Sequence, residues 1–270
     1  MKILLCGDYS SVHSELSKAL KDFNHEVTLL SDGDSYKNFP ADIKIPTKIK
    51  KRNILDKFLY FFFDFLGLYG LTEYKKTIKK IKLDEYDIIQ LINPVVVEQF
   101  GAIGNYLFIR YLSKKTKKIF LCALGDDSRW VKASLSGTYK YSYFDTLKFN
   151  NIFKYYYSLK YLFNPAYYFL GKYVEYKTQG IISGLIDYKM AYDKYNIKTK
   201  LTRLPISINK FKEPSKELSI NKIRIFHAWQ YGKESRKGNE ILDFAVKEVI
   251  KKFGSDKISY EIAGGLSYDE

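Results

Sequence analysis

Short apolar runs alternate with segments of helical period along most of this chain. Lys2–Cys6 is such a run and ends at Gly7-Asp8; Val12, Leu16, Ala19, Leu20 and Phe23 follow at helical spacing, and a second run occupies 26–30. The rhythm returns at 87–92, at 119–124 and at Gly180–Ser183, the last leading into a helix from about Asp187 and a strand at 200–204. Such alternation predicts an α/β fold: a Rossmann-type parallel sheet with helices on both faces. Ligands of such sheets collect at the carboxyl ends of the strands.

A polar, lysine-rich stretch at 208–221, containing Pro214, separates this region from another apolar run at 222–226. We read 1–207 as one Rossmann-like domain, 208–221 as a linker and 222–270 as the beginning of a second. In the latter, Leu242, Ala245, Val246, Val249 and Phe253 share one side of a helix over Asn239–Phe253, Gly254 stops it, and a strand follows at 258–263. One strand-helix-strand unit of about 50 residues is too small to bury its own core. The second domain is therefore expected to be partial in this chain.

With 270 residues and 46% hydrophobic content the chain belongs to the globular class. Its net charge of +15 suits an acidic partner such as a phosphorylated ligand or an anionic membrane surface, although abundant Lys, Ile, Asn and Tyr together also follow from A/T-rich coding DNA. The basic residues are scattered and no recognition motif appears, so nucleic acid is not the expected partner. Cys6 and Cys122 each lie inside an apolar run, which leaves neither a disulfide framework nor a metal cluster. The first apolar run is too short for a signal peptide, so the cytoplasm is the expected compartment.

Two segments interrupt the rhythm. "NILDKFLYFFFDFLGLYGL" at 53–71 is dense in Phe and Leu, yet Asp56, Lys57 and Asp64 break it and lysines crowd both flanks. Spanning a bilayer takes roughly 20 mostly uncharged residues, so this segment suits an interface rather than a crossing. Residues 139–176 mix tyrosine, phenylalanine and lysine in a similar way. Core and subunit packing is the alternative for both; membrane contact would place the protein peripherally on the inner face of the plasma membrane.

Three loops carry candidate chemistry. Gly7-Asp8-Tyr9-Ser10-Ser11 joins the first strand to the first helix, offers Ser10 or Ser11 as a helix cap, and is followed by His13, which could face a cleft at the strand ends. It is not a GxGxxG fingerprint. Gly125-Asp126-Asp127-Ser128-Arg129-Trp130 sets carboxylates, a guanidinium and an indole at another strand end, a set suited to sugar-type hydroxyls and apolar ring edges. Lys233, Arg236, Lys237 and Gly238 precede the last helix, whose start would hold phosphate. The structural alternatives are a core histidine, an N-cap with a neighbouring salt bridge, and solvated lysines.

Together these loops resemble the retaining glycosyltransferases of family 4, which have the two-domain GT-B fold. "VHSELSKAL" (12–20) looks like that family's first helix, and "GDDSR" (125–129) like its His-Gly-x-Asp-x-Arg stretch, with Leu124 in the histidine's place. "LPISINKFK" (204–212) is similar to the segment leading into the second domain, and "RKGNEILDFA" (236–245) to the helix that begins donor binding. The basic loop is longer here than in the family, and the family's glutamate pair would fall beyond Glu270. The resemblance implies a glycosyltransferase, or a truncated portion of one, that moves a sugar from a nucleotide-sugar co-substrate to a saccharide or lipid-linked acceptor in surface polysaccharide biosynthesis, without a metal or other cofactor. Asp127 and His13 would be catalytic, Lys233, Arg236, Lys237 and Gly238 would bind the donor phosphates, and Asp8, Asp126, Arg129 and Trp130 would line the acceptor side. The second reading is a non-catalytic, truncated α/β protein that binds membrane or a protein partner.

Overall fold

The computed structural model describes residues 1–34, 37–46, 53–208, 222–229 and 238–264, which fall into two units, Met1–Ile206 and Ser207–Glu270. The first unit is built on a seven-stranded parallel sheet ordered β3-β2-β1-β4-β5-β6-β7. Its strands are β1 (Lys2–Cys6), β2 (Glu26–Ser31), β3 (Ile43–Lys44), β4 (Ile88–Leu91), β5 (Ile119–Ala123), β6 (Gly180–Ser183) and β7 (Lys200–Leu201). The fold is Rossmann-like, as the alternation of runs predicts.

Period-two geometry divides the strand residues between two cores. Ile3, Leu5, Val27 and Leu29 point to the side where Leu16 and Leu20 of α1 (Val12–Asp22) pack. Leu4, Cys6, Leu30, Leu91 and Leu121 point to the other side, into a larger core with Phe108, Ile109 and Leu112 of α4 (Gly101–Leu112). Cys6 and Cys122 are free, buried thiols, and burial raises the pKa of both.

Between β3 and β4 lie α2 (Ile54–Phe65) and α3 (Leu71–Ile78). The aromatic region after β5 folds into α5 (Ser128–Leu135), α6 (Tyr156–Phe163) and α7 (Pro165–Lys177), and α8 (Ile186–Asp193) joins β6 to β7. Among the described residues no helix is long and apolar enough to cross a membrane.

In the second unit β8 (Ile223–Trp229) pairs in parallel with β9 (Ile258–Gly264), and α9 (Asn239–Phe253) connects them. Val246 and Ile258 are buried, whereas Ile241, Phe244 and Phe226 are exposed, because one helix covers only part of a two-stranded ribbon. The expected linker, from residue 209 onward, lies outside the described residues.

Candidate functional site

Strand order reverses at β1: the strand is flanked by β2 on one side and β4 on the other, which is the switch point where ligands of such sheets collect. The loop after β1 turns at Gly7, whose φ is +77° and where a Cβ would stand 2.4 Å from the Ile92 side chain and 2.8 Å from the Val96 carbonyl oxygen. Only glycine fits that approach.

α1 is capped from within this loop, though not by a serine. Ser11 takes a left-handed conformation and its side chain caps nothing. Asp8 does the work instead: its Oδ1 accepts from the His13 N–H at 2.9 Å and its Oδ2 from the Ser14 N–H at 3.2 Å and from the Ser14 hydroxyl. Burial raises the Asp8 carboxyl above its ordinary value, against these three donors.

His13 is wholly buried rather than facing a cleft. Its Nδ1 lies 2.6 Å from the Gly7 carbonyl oxygen and its Nε2 lies 3.2 Å from the Gln90 amide nitrogen. A carbonyl can only accept, so Nδ1 carries the hydrogen and Nε2 accepts. Burial lowers the ring pKa to about 4, and the imidazole is neutral at pH 7. It ties the first loop to β4.

The loop after β5 is also tied down. Asp127 caps α5: Oδ1 accepts from the N–H groups of Arg129 (2.9 Å) and Trp130 (2.8 Å), and Oδ2 accepts from the Tyr192 hydroxyl at 2.8 Å. Burial raises this carboxyl to about 6, and the same donors limit the rise. Arg129 forms a two-pronged pair with Glu175 at 2.6 and 2.7 Å. Trp130 is only 8% exposed and packs near Phe144 and Tyr188. Asp126 is half-buried and accepts from the Ser158 hydroxyl at 2.5 Å.

Asn93, Asp32 and Asp34, which the sequence did not single out, tie these loops further. Asn93, fully buried after β4, donates to the carbonyls of Leu124 (2.7 Å) and Asp126 (3.1 Å) and so joins the β4 and β5 loops. The Tyr9 ring fills the remaining space, since a Cβ on Gly125 would lie 2.8 Å from it. Asp32, after β2, reaches past β1 to accept from the Glu98 N–H at 3.3 Å, and burial, with Glu98 as the second cause, lifts its carboxyl to about 7. Asp34 accepts from the Ser10 N–H and pairs with Lys37 at 2.5 Å. Asn-Pro and Ser-Asp-Gly-Asp at strand ends were the available signals, and both read equally well as plain turns.

In the second unit Gly238 is the N-cap of α9 with φ +67°, and a Cβ there would meet nothing within 4 Å. The first N–H groups of a helix lack intrahelical partners and carry the positive end of its dipole. Lys233, Arg236 and Lys237 lie outside the described residues. Among the described residues no group of three or more His, Cys, Asp or Glu side chains is placed to hold a metal ion.

No protein-family model matches the chain, and no curated protein does. Among solved structures, the fold is similar to that of a protein provisionally named a UDP-N-acetylglucosamine 2-epimerase from Listeria monocytogenes, with a TM-score of 0.50 and 10% identity over 98% of this chain and 63% of that one. UDP-GlcNAc 2-epimerase from Methanocaldococcus jannaschii aligns at a TM-score of 0.43 and 12% identity, covering 100% of this chain and 67% of that one. The enzyme from Neisseria meningitidis bound to UDP-GlcNAc aligns at 0.46 and 11%, covering 98% and 66%. The chain spans less than two thirds of the Listeria protein. At such identity the likeness speaks for the fold alone: a Rossmann-like α/β architecture of the GT-B type.

Proposed function

We propose that the chain acts on a nucleotide sugar and that its reaction is glycosyl transfer to a hydroxyl group of a saccharide or lipid-linked acceptor. The observation that carries this reading is the set of carboxylates that follow the strand ends on either side of β1. Asp32, Glu98 and Asp126 stand in loops after β2, β4 and β5, while Lys37 and Arg129 are paired with Asp34 and Glu175. Such a set favours hydroxyl donors over phosphate. Phosphate chemistry belongs instead to the second unit, where Gly238 opens α9 and Lys233, Arg236 and Lys237 precede it in sequence. Two ligand chemistries on two units suit a donor and an acceptor.

In the transfer, the bond from the anomeric carbon to the diphosphate oxygen breaks, and the acceptor oxygen bonds to that carbon as its proton passes to the departing diphosphate. Lys233, Arg236, Lys237 and the helix start would stabilise the departing diphosphate, as positive charge does wherever a phosphate leaves. Asp32 and Asp126 would orient the acceptor hydroxyls. Asp8, Asp127 and His13 would act by holding the two loops in place.

The fold likeness to the Listeria protein favours a second reading, epimerisation of the sugar while it stays on its nucleotide. One experiment separates the two. The chain is incubated with UDP-GlcNAc and other nucleotide sugars, with and without hydroxylated acceptors, and followed by proton NMR. Release of nucleoside diphosphate that requires an acceptor supports transfer; a new sugar-nucleotide epimer formed without one supports the second reading. Failure of UDP, GDP, ADP and CDP to bind at millimolar concentration would remove both.

A further inference from the structure

Helix α2 is oriented against the usual rule. Leu55, Phe58, Phe62 and Phe65 recur at helical spacing, yet they are 65%, 66%, 51% and 60% exposed, while the acidic Asp64 is wholly buried. A helix of a globular protein normally turns such an apolar stripe inward. Here the inward side is fixed by polar bonds: Asp64 accepts from the hydroxyls of Tyr156 (2.8 Å) and Tyr167 (2.5 Å) and faces Lys160 at 3.4 Å. Turning the stripe inward would break all three contacts.

α2 packs against a neighbouring element that carries exposed rings of its own. Tyr60 and Phe61 of α2 meet Tyr157 and Tyr156, with ring centroids 6.4 and 4.8 Å apart. Just before them, Phe149 and Phe153 are 94% and 83% exposed. Lys148 and Lys154 lie exposed in that same segment, and Lys75, Lys76, Lys79 and Lys80 lie exposed in and just after α3.

We infer that the outward face of α2, together with Phe149, Phe153 and Tyr157, docks on the surface of an anionic lipid bilayer. Charge decides the occupant. A second copy of a chain carrying +15 would bring like charge against like, whereas acidic headgroups complement it. Aromatic rings beside lysines are the composition of the bilayer interface, where ring bodies enter the acyl boundary and ammonium groups stay at headgroup level. At 12 residues α2 is about 18 Å long, so it lies in the interface rather than crossing it. This surface stands whether or not the chain transfers a sugar.

The test is sedimentation of the full chain with vesicles of phosphatidylcholine alone and with phosphatidylglycerol added. Binding should require phosphatidylglycerol, weaken as salt rises, and fall at least tenfold in the Phe58→Ser/Phe62→Ser variant. Both positions are exposed, so the thermal midpoint should hold. A cysteine-linked environment-sensitive dye placed by Phe62→Cys should shift to the blue with anionic vesicles, and one placed by Ser136→Cys should not. The inference is overturned if anionic vesicles bind no chain, or if they bind parent and double variant equally. It is also overturned if sedimentation velocity shows a dimer that the double substitution dissolves while vesicles bind neither form.

Discussion

The Tyr167 hydroxyl donates to the carboxylate of Asp64 across 2.5 Å and so joins α7 to α2 over a separation of 103 residues. Tyr156 and Lys160 reach the other oxygen from α6. A buried carboxylate is costly to desolvate, and removing it strands the groups that were built around it. In Asp64→Ala, Lys160 stays buried without its counter-charge. That variant should lose about 3–5 kcal/mol of stability, read as a lower urea midpoint. Asp56→Ala, on the exposed start of the same helix, should change stability by less than about 0.5 kcal/mol. Equal midpoints for the two variants would show that this cluster does not hold α2.

Asp32 gives the fold a pH dependence of definite sign. Its carboxyl is lifted to about 7 in the folded chain, against roughly 3.9 when unfolded. Between those values the folded form holds a proton that the unfolded form has released. The contribution to stability is therefore full below about pH 4 and is lost as pH rises through about 7. Asp32→Asn keeps an oxygen for the Glu98 N–H and removes the charge. It should stabilise the chain at pH 8 by on the order of 2 kcal/mol and leave it unchanged at pH 4. A gain of equal size at both pH values would show that the carboxyl does not titrate as stated.

His13 acts with the opposite sign. Its folded pKa is lowered to about 4, below the unfolded value near 6.5, so the stability tied to its neutral form is lost as pH falls from about 6.5 to about 4. NMR of the imidazole protons should show this ring unprotonated at pH 5.5. His13→Ala should cost about 1–3 kcal/mol at pH 7, because the Gly7 carbonyl and Gln90 amide lose their partner inside the protein. Titration of the His13 ring between pH 6 and 7 would show instead that the loop opens to water.

Elements with a strong period were legible from sequence, and those defined by distant partners were not. Helix α9 runs over Asn239–Phe253 as its apolar spacing and its closing glycine indicate. Strand β3 is two residues long, too short to show any period, and α4 begins with Gly101 and carries Gly104, residues that locally argue against a helix. Gly104 is there for space, since a Cβ would stand 3.0 Å from the Phe100 side chain and 3.2 Å from that of Tyr74. The same limit governs the site. The loop sequence puts Ser10 and Ser11 where a cap belongs, but their positive φ values hand that task to Asp8. Asp32 reads as a turn residue until β2 and β4 stand on either side of β1. The aromatic character of α2 is plain in the sequence, but which face meets water is set by Asp64 and partners some hundred residues later.

An anion is expected at the start of α9. Gly238 holds φ +67° with open space where a Cβ would be, so Gly238→Ala costs only backbone strain, about 1–2 kcal/mol, and displaces no neighbour. Lys237 precedes it in sequence and lies outside the described residues. Hydrogen bonds to charged groups contribute roughly 1.5–3 kcal/mol each, so losing one such bond weakens binding by about ten- to a hundredfold. If a nucleoside diphosphate sits at this helix start, Lys237→Ala should weaken its binding by that factor in isothermal titration. Glu248→Ala, exposed two and a half turns along the same helix, should leave affinity within twofold. Diphosphate affinity that stays within twofold in Lys237→Ala, at an unchanged thermal midpoint, would reduce the basic run to a solvated helix start and remove the donor half of the proposed reaction.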